Sequence, residues 1–109
     1  GKLFLGHDTP QYPIDISFLT NEKRNTRLWC HAKNLETLDI LLDNGLHCFV
    51  HNTDDATLTS QNFVWTYPGK KHVKNSIAVV PEKVDNKIEG VSNIVGICSD
   101  YIQRWIVLV

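Results

Sequence analysis

With 109 residues, 21% of them charged and a formal net charge of −1, the chain can bury one small core. It cannot close an eight-stranded (β/α) barrel, which takes about 200 residues or more. The near-neutral balance excludes nucleic-acid binding driven by bulk electrostatics, and 42% apolar content excludes intrinsic disorder. The longest apolar stretch, residues 105–109, is far too short to span a bilayer.

The opening run Gly1-Lys2-Leu3-Phe4-Leu5-Gly6-His7-Asp8 reads as a β-strand that delivers a histidine and a carboxylate at its end. Residues 9–13 read as a loop, because Pro10 and Pro13 oppose regular structure. Residues 15–19 fit a helical turn or an extended stretch equally well, and 20–26 form a polar connector. Residues 27–33 then read as a short strand. Asn34 is a good N-cap, and Leu35, Leu38, Leu41 and Leu42 fall on one helical face. Glu36 and Asp39 sit toward the positive end of that helix, and Gly45 is placed as its C′ residue. Residues 46–51 make a second strand, so the segment predicts a βαβ unit with two parallel strands.

The remainder is rich in strands. Residues 52–62 are polar and turn-like, and 63–67 form an apolar run closed by Pro68-Gly69. Lys70, Lys71, His72 and Lys74 make a basic loop. Residues 76–80 are nearly all apolar, as a strand covered on both faces should be. After Pro81-Glu82 comes a charged loop over 83–90, then a last strand over 94–98 that stops at Ser99-Asp100, with a helix beginning over 101–105. No linker or low-complexity tract interrupts the chain, which reads as a single domain over 1–109. Cys30, Cys48 and Cys98 each lie inside an apolar run. That placement suggests small buried residues rather than a disulfide framework, and a reducing, cytoplasmic setting.

Several strands carry a polar group where they stop: His7 and Asp8, His31 and Lys33, His51, Glu82, Asp100. In a parallel sheet such ends share one rim, where ligands bind. His7 suits a general acid or base, with Asp8 orienting it or binding a cation, although an exposed turn explains the pair as well. Alternation puts His31 and Lys33 on the same side of their strand, where imidazole can ligate a metal or move a proton and the ammonium can pair with phosphate. An edge-strand surface is the competing reading. His51-Asn52-Thr53-Asp54-Asp55 lacks the glycine and terminal Glu of a calcium loop and reads as a turn. His47 and His72 read as surface residues, and Trp29, Trp65 and Tyr67 as core or rim aromatics. Nucleophile elbow, phosphate-cradling glycine loop and zinc spacing are all missing from the sequence.

Taken in order, Gly-Lys-Leu-Phe-Leu-Gly-His-Asp, Leu-Trp-Cys-His-Ala-Lys-Asn, Trp65-Thr66-Tyr67-Pro68-Gly69 and Gly96-Ile97-Cys98-Ser99-Asp100-Tyr101 resemble a glycerophosphodiester phosphodiesterase. The resemblance is to a small branch of the phospholipase-C-like (β/α) barrel superfamily and spans nearly the whole chain. It implies that His7 is the second catalytic histidine. Where the family's Glu-x-Lys binds a divalent cation and approaches the phosphate, this chain has His31 and Lys33, so the resemblance gives Lys33 to the phosphate and His31, with Asp8, to the metal. Magnesium or calcium is the expected cofactor, although a histidine ligand favours a softer ion. The family's His-Arg-Gly and Glu-x-Asp motifs do not occur in these residues; the resemblance would put them before Gly1.

The fold expected is therefore α/β, a partial TIM-type (β/α) barrel lacking its first two strands, mostly parallel and with few helices. The function expected is that of a fragment of a metal-dependent phosphodiester hydrolase, inactive as this chain alone, with a small phosphodiester substrate and no nucleic-acid or membrane-spanning role. The alternative is a non-catalytic α/β domain that binds an anion or self-associates, and exposed sheet edges would favour a homo-oligomer in either case.

Overall fold

In a computed structural model the chain is an α/β protein of mixed parallel and antiparallel sheets with two α-helices among the described residues, which are 3–21, 27–85, 87–103 and 105. It divides into two compact units, Gly1–Val50 and His51–Val109. No described helix is long and apolar enough to cross a membrane. Most of the expected polar connector, residues 22–26, lies outside the described residues.

In the first unit, β1 (Leu3–Leu5) pairs antiparallel with β2 (Tyr12–Ile14), and Phe4 stands opposite Pro13. The loop expected over 9–13 is thus shorter than its prolines suggest. A strand in a two-stranded sheet has one unpaired side, and there the missing N–H of Pro13 costs nothing. The turn between the strands is tied by Gln11 N donating to the Leu5 carbonyl at 2.9 Å and by His7 N donating to Gln11 Oε1 at 3.2 Å. It also needs a glycine, since a Cβ on Gly6 would collide with the carbonyl oxygen of Thr9. Asp8 takes a left-handed conformation, φ 67°, which Asp tolerates better than most residues. The ambiguous segment that follows is helical: α1 (Ile16–Thr20) buries Leu19.

The βαβ unit forms as expected. β3 (Cys30–Ala32) and β4 (Cys48–Val50) run parallel, joined by α2 (Leu35–Asp43). Asn34 Oδ1 accepts a hydrogen bond from Thr37 N at 2.7 Å, a cap of about 1 kcal/mol. At the other end Gly45 adopts φ 67°, which lets Leu46 N reach the Leu41 carbonyl and Gly45 N reach that of Leu42, so the last carbonyls are satisfied. Leu41 enters a core with Leu19, Ala32, Leu46 and Cys48, against which Cys30, Leu38 and Val50 pack. Leu35 and Leu42 stay exposed, so the buried face of α2 is narrower than its leucine spacing implies. On the other face of the strands His31 stacks on its register partner Phe49, with centroids 4.7 Å apart, and Trp29 meets His47 at a 42° tilt with centroids 3.9 Å apart.

The second unit is a four-stranded sheet in the order β5-β6-β7-β8: β5 (Ala56–Leu58), β6 (Val64–Thr66), β7 (Ser76–Val79) and β8 (Ile94–Cys98). β5 is antiparallel to β6, and the other pairs are parallel. β7 is buried along its whole length, as the sequence suggests, and its Ser76 hydroxyl is satisfied by Thr66 Oγ1 at 2.8 Å. β5 lies inside the stretch expected to be only turn. His72 is not a surface residue but a buried clasp. Its main-chain N donates to the Glu89 carbonyl at 2.9 Å, its Nδ1 donates to that same oxygen at 3.1 Å, and its own carbonyl accepts from Asn93 Nδ2 at 3.0 Å. Residues 102, 103 and 105 form 3-10 rather than α-helical geometry.

Candidate functional site

Asp8, His31 and Lys33 converge in the first unit. They line one cleft of about 280 Å³ with Phe4, Leu5 and Pro10 on its apolar side and Asn34 and Thr37 at the start of α2. His31 lies within β3 and Lys33 follows just past its end, and both line the cleft. Asp8 is brought to them by the β1–β2 turn, whose left-handed residue it is. The result joins a cation, an imidazole and a carboxylate beside an apolar wall, an arrangement suited to a small amphipathic anion.

His7, the candidate acid–base group, does not line the cleft. Its ring is almost wholly exposed and lies 3.6 Å from the carboxylate of Asp8, itself exposed. Water screens such a pair strongly. For a divalent cation the cleft offers Asp8 and His31, one carboxylate and one imidazole. Magnesium and calcium ask for six or more ligands, chiefly oxygen, so this donor set does not fit them by itself. Among the described residues no group of three or more His, Cys, Asp or Glu side chains is placed to hold a metal ion.

The remaining strand-end residues belong to the second unit. Glu82, after β7, accepts from Ser99 Oγ at 2.7 Å and from Asp100 N at 3.3 Å, and Ser99 Oγ accepts from Tyr101 N at 2.9 Å. These bonds tie the end of β7 to the end of β8, so Glu82 acts as a latch. Between them Val80 holds a left-handed conformation, φ 38°, unfavourable for a β-branched residue, and its N donates to the Cys98 carbonyl at 2.6 Å. Burial, then the charges of Asp100 and Glu82, push the Cys98 thiol pKa up. His51 stacks on Tyr67 with centroids 3.8 Å apart. Among the described residues β1 pairs only with the antiparallel β2, so there His7 and Asp8 do not end a strand of a parallel sheet as expected.

His47 also departs from expectation: it is buried against Trp29, and that burial lowers its pKa. A histidine whose folded pKa lies below its unfolded value binds its proton more readily when unfolded. Stability is therefore full above about pH 6.5 and falls as pH drops from there toward the folded pKa. Denaturant titrations between about pH 7.5 and about pH 5 should show that loss in the wild type and a shallower one in His47→Gln; equal slopes would remove His47 as its source.

The sequence offered no signal for Thr37 as a lining residue beyond its place three after the cap. Phe4 and Leu5 read only as strand residues, and both line the cleft. Compared with protein-family models, with curated proteins and with solved structures, the chain matches none.

Proposed function

We propose that this chain is part of a phosphodiester hydrolase of the glycerophosphodiester type, and that the cleft of Asp8, His31 and Lys33 receives the phosphate. The observation that carries this reading is their convergence from separate segments onto one cleft. The finer fold assignment, a portion of a TIM-type barrel, draws support from the β3–α2–β4 unit and from the parallel β6–β8 strands. In this reading Lys33 neutralises the phosphate, and His31 hydrogen-bonds a phosphate oxygen. Asp8 orients His7, which turns from solvent toward the cleft to move a proton. A divalent cation would need oxygen donors beyond Asp8 and His31, so no step is assigned to it.

Binding tests the reading without requiring turnover. Titration of the full chain with glycerophosphocholine, followed by phosphorus NMR, should show saturable binding. Lys33→Glu should weaken it at least about tenfold, since reversing a charge about 4 Å from the phosphate changes the interaction by about 2 kcal/mol even in water. Lys70→Glu, whose lysine pairs with Asp55 at 3.3 Å in the second unit, should bind as the wild type does. Equal affinity in the wild type and Lys33→Glu, or no binding at millimolar ligand, would rule the assignment out.

A further inference from the structure

We propose that Cys30 and Cys48 form a dithiol that closes to an intrachain disulfide on reaction with a low-molecular-weight disulfide such as oxidised glutathione. The two residues are direct partners in the parallel register of β3 and β4. Register partners project from the same face of a sheet, and here both belong to one cluster, Cys48 within it and Cys30 packed against it. The intervening positions, His31 and Phe49, stack on the opposite face. Neighbouring strands lie about 4.8 Å apart, inside the window of about 4.4–6.8 Å that a disulfide requires between Cα atoms. Neither cysteine is in a disulfide in this structure.

Exposure sets the order of events. Cys48 is 1% exposed while Cys30 is only partly buried, so Cys30 meets the reagent first. Its thiolate attacks one sulfur of oxidised glutathione, expelling one glutathione thiolate and leaving a mixed disulfide. Cys48 sulfur then attacks the Cys30 sulfur and expels the second. Two protein S–H bonds and the reagent's S–S bond break; one protein S–S bond and two glutathione S–H bonds form, the protons passing from the cysteines to the leaving thiolates. The cysteines are oxidised and the reagent is reduced. Burial, and the neighbouring Cys48 sulfur, raise the Cys30 pKa, so exchange is slow at neutral pH and quickens as pH rises. The bond closes a ring containing all of α2 and fixes β3 to β4 beneath His31. Cys98 is an internal control, because its partner across β7–β8 is Val79.

Incubation of the full chain with oxidised glutathione at mildly alkaline pH, followed by denaturation and thiol counting, tests this. Free thiols should fall from three to one, and peptide mapping should join Cys30 to Cys48. Cys98→Ser should reach zero under the same treatment and melt at a higher temperature oxidised than reduced. A mixed glutathione disulfide that persists on Cys30, a bridge that includes Cys98, or an unchanged thiol count would each overturn the proposal.

Discussion

Gly90→Ala is expected to destabilise the protein by about 4–5 kcal/mol, an exceptional loss for a single substitution. Gly90 sits at φ 78°, where an alanine costs about 1–2 kcal/mol. A Cβ there would also collide with the carbonyl oxygen of His72. That carbonyl accepts from Asn93 Nδ2, and the same residue's N and Nδ1 both donate to Glu89, so moving it away breaks a clasp of three hydrogen bonds. Each is worth about 1 kcal/mol, and His72 is buried with its Nε2 already lacking a partner among the described residues. Gly69→Ala separates the two contributions. Gly69 has φ 81°, but the nearest atom to a Cβ there is a Val84 methyl at an ordinary 3.7 Å, so only the conformational cost of about 1–2 kcal/mol remains. Chemical denaturation of both variants decides: equal losses would show that the clasp contributes nothing.

What the sequence made legible was what local chemistry determines. The bounds of α2 could be read because its cap, its apolar spacing and its terminal glycine are all within a dozen residues of one another. β5 could not, because three residues in a turn-rich stretch become a strand only by borrowing the hydrogen bonds of β6. His72 misled for the same reason. Its sequence neighbours Lys70, Lys71 and Lys74 are exposed, whereas the groups that bury it lie 17 and 21 residues away. Pro13 signalled a loop but occupies a strand whose other side is unpaired, a fact of sheet order and not of residue type.

The candidate site divides along the same line. His31 and Lys33 line one cleft, as strand alternation predicts, although β3 ends at Ala32 and Lys33 stands just beyond it. Their meeting with Asp8 depends on the β1–β2 turn, because the opening strand pairs antiparallel with β2 and does not end in a parallel sheet. Glu82 and Asp100 were grouped correctly as strand ends, but the hydrogen bonds of Glu82 to Ser99 and Asp100 give it a latching role that residue type does not reveal. A charged residue at a strand end can serve a ligand or the neighbouring strand, and only its partners distinguish the two.

Leu41→Ala carries the second large expected effect, and it bears on the cleft from below. Leu41 is 3% exposed and is the helix's contribution to a core of Leu19, Ala32, Leu46 and Cys48. Truncating a leucine so placed removes its transfer free energy and leaves a cavity, together about 3 kcal/mol. Leu46, held by the glycine-terminated end of α2, and Cys48, in β4, cannot collapse into the space without disturbing that cap or the strand pairing. Ala32 is the residue between His31 and Lys33, so the loss of packing reaches the strand that positions both. Hydrogen exchange should therefore show faster opening of the β3 and β4 amides in Leu41→Ala. Leu42→Ala, next along the helix but 48% exposed, should lose less than about 1 kcal/mol and leave those amides protected. If the two variants behaved alike, the burial assigned to Leu41 would be wrong, and with it the account of what holds His31 and Lys33 toward the cleft.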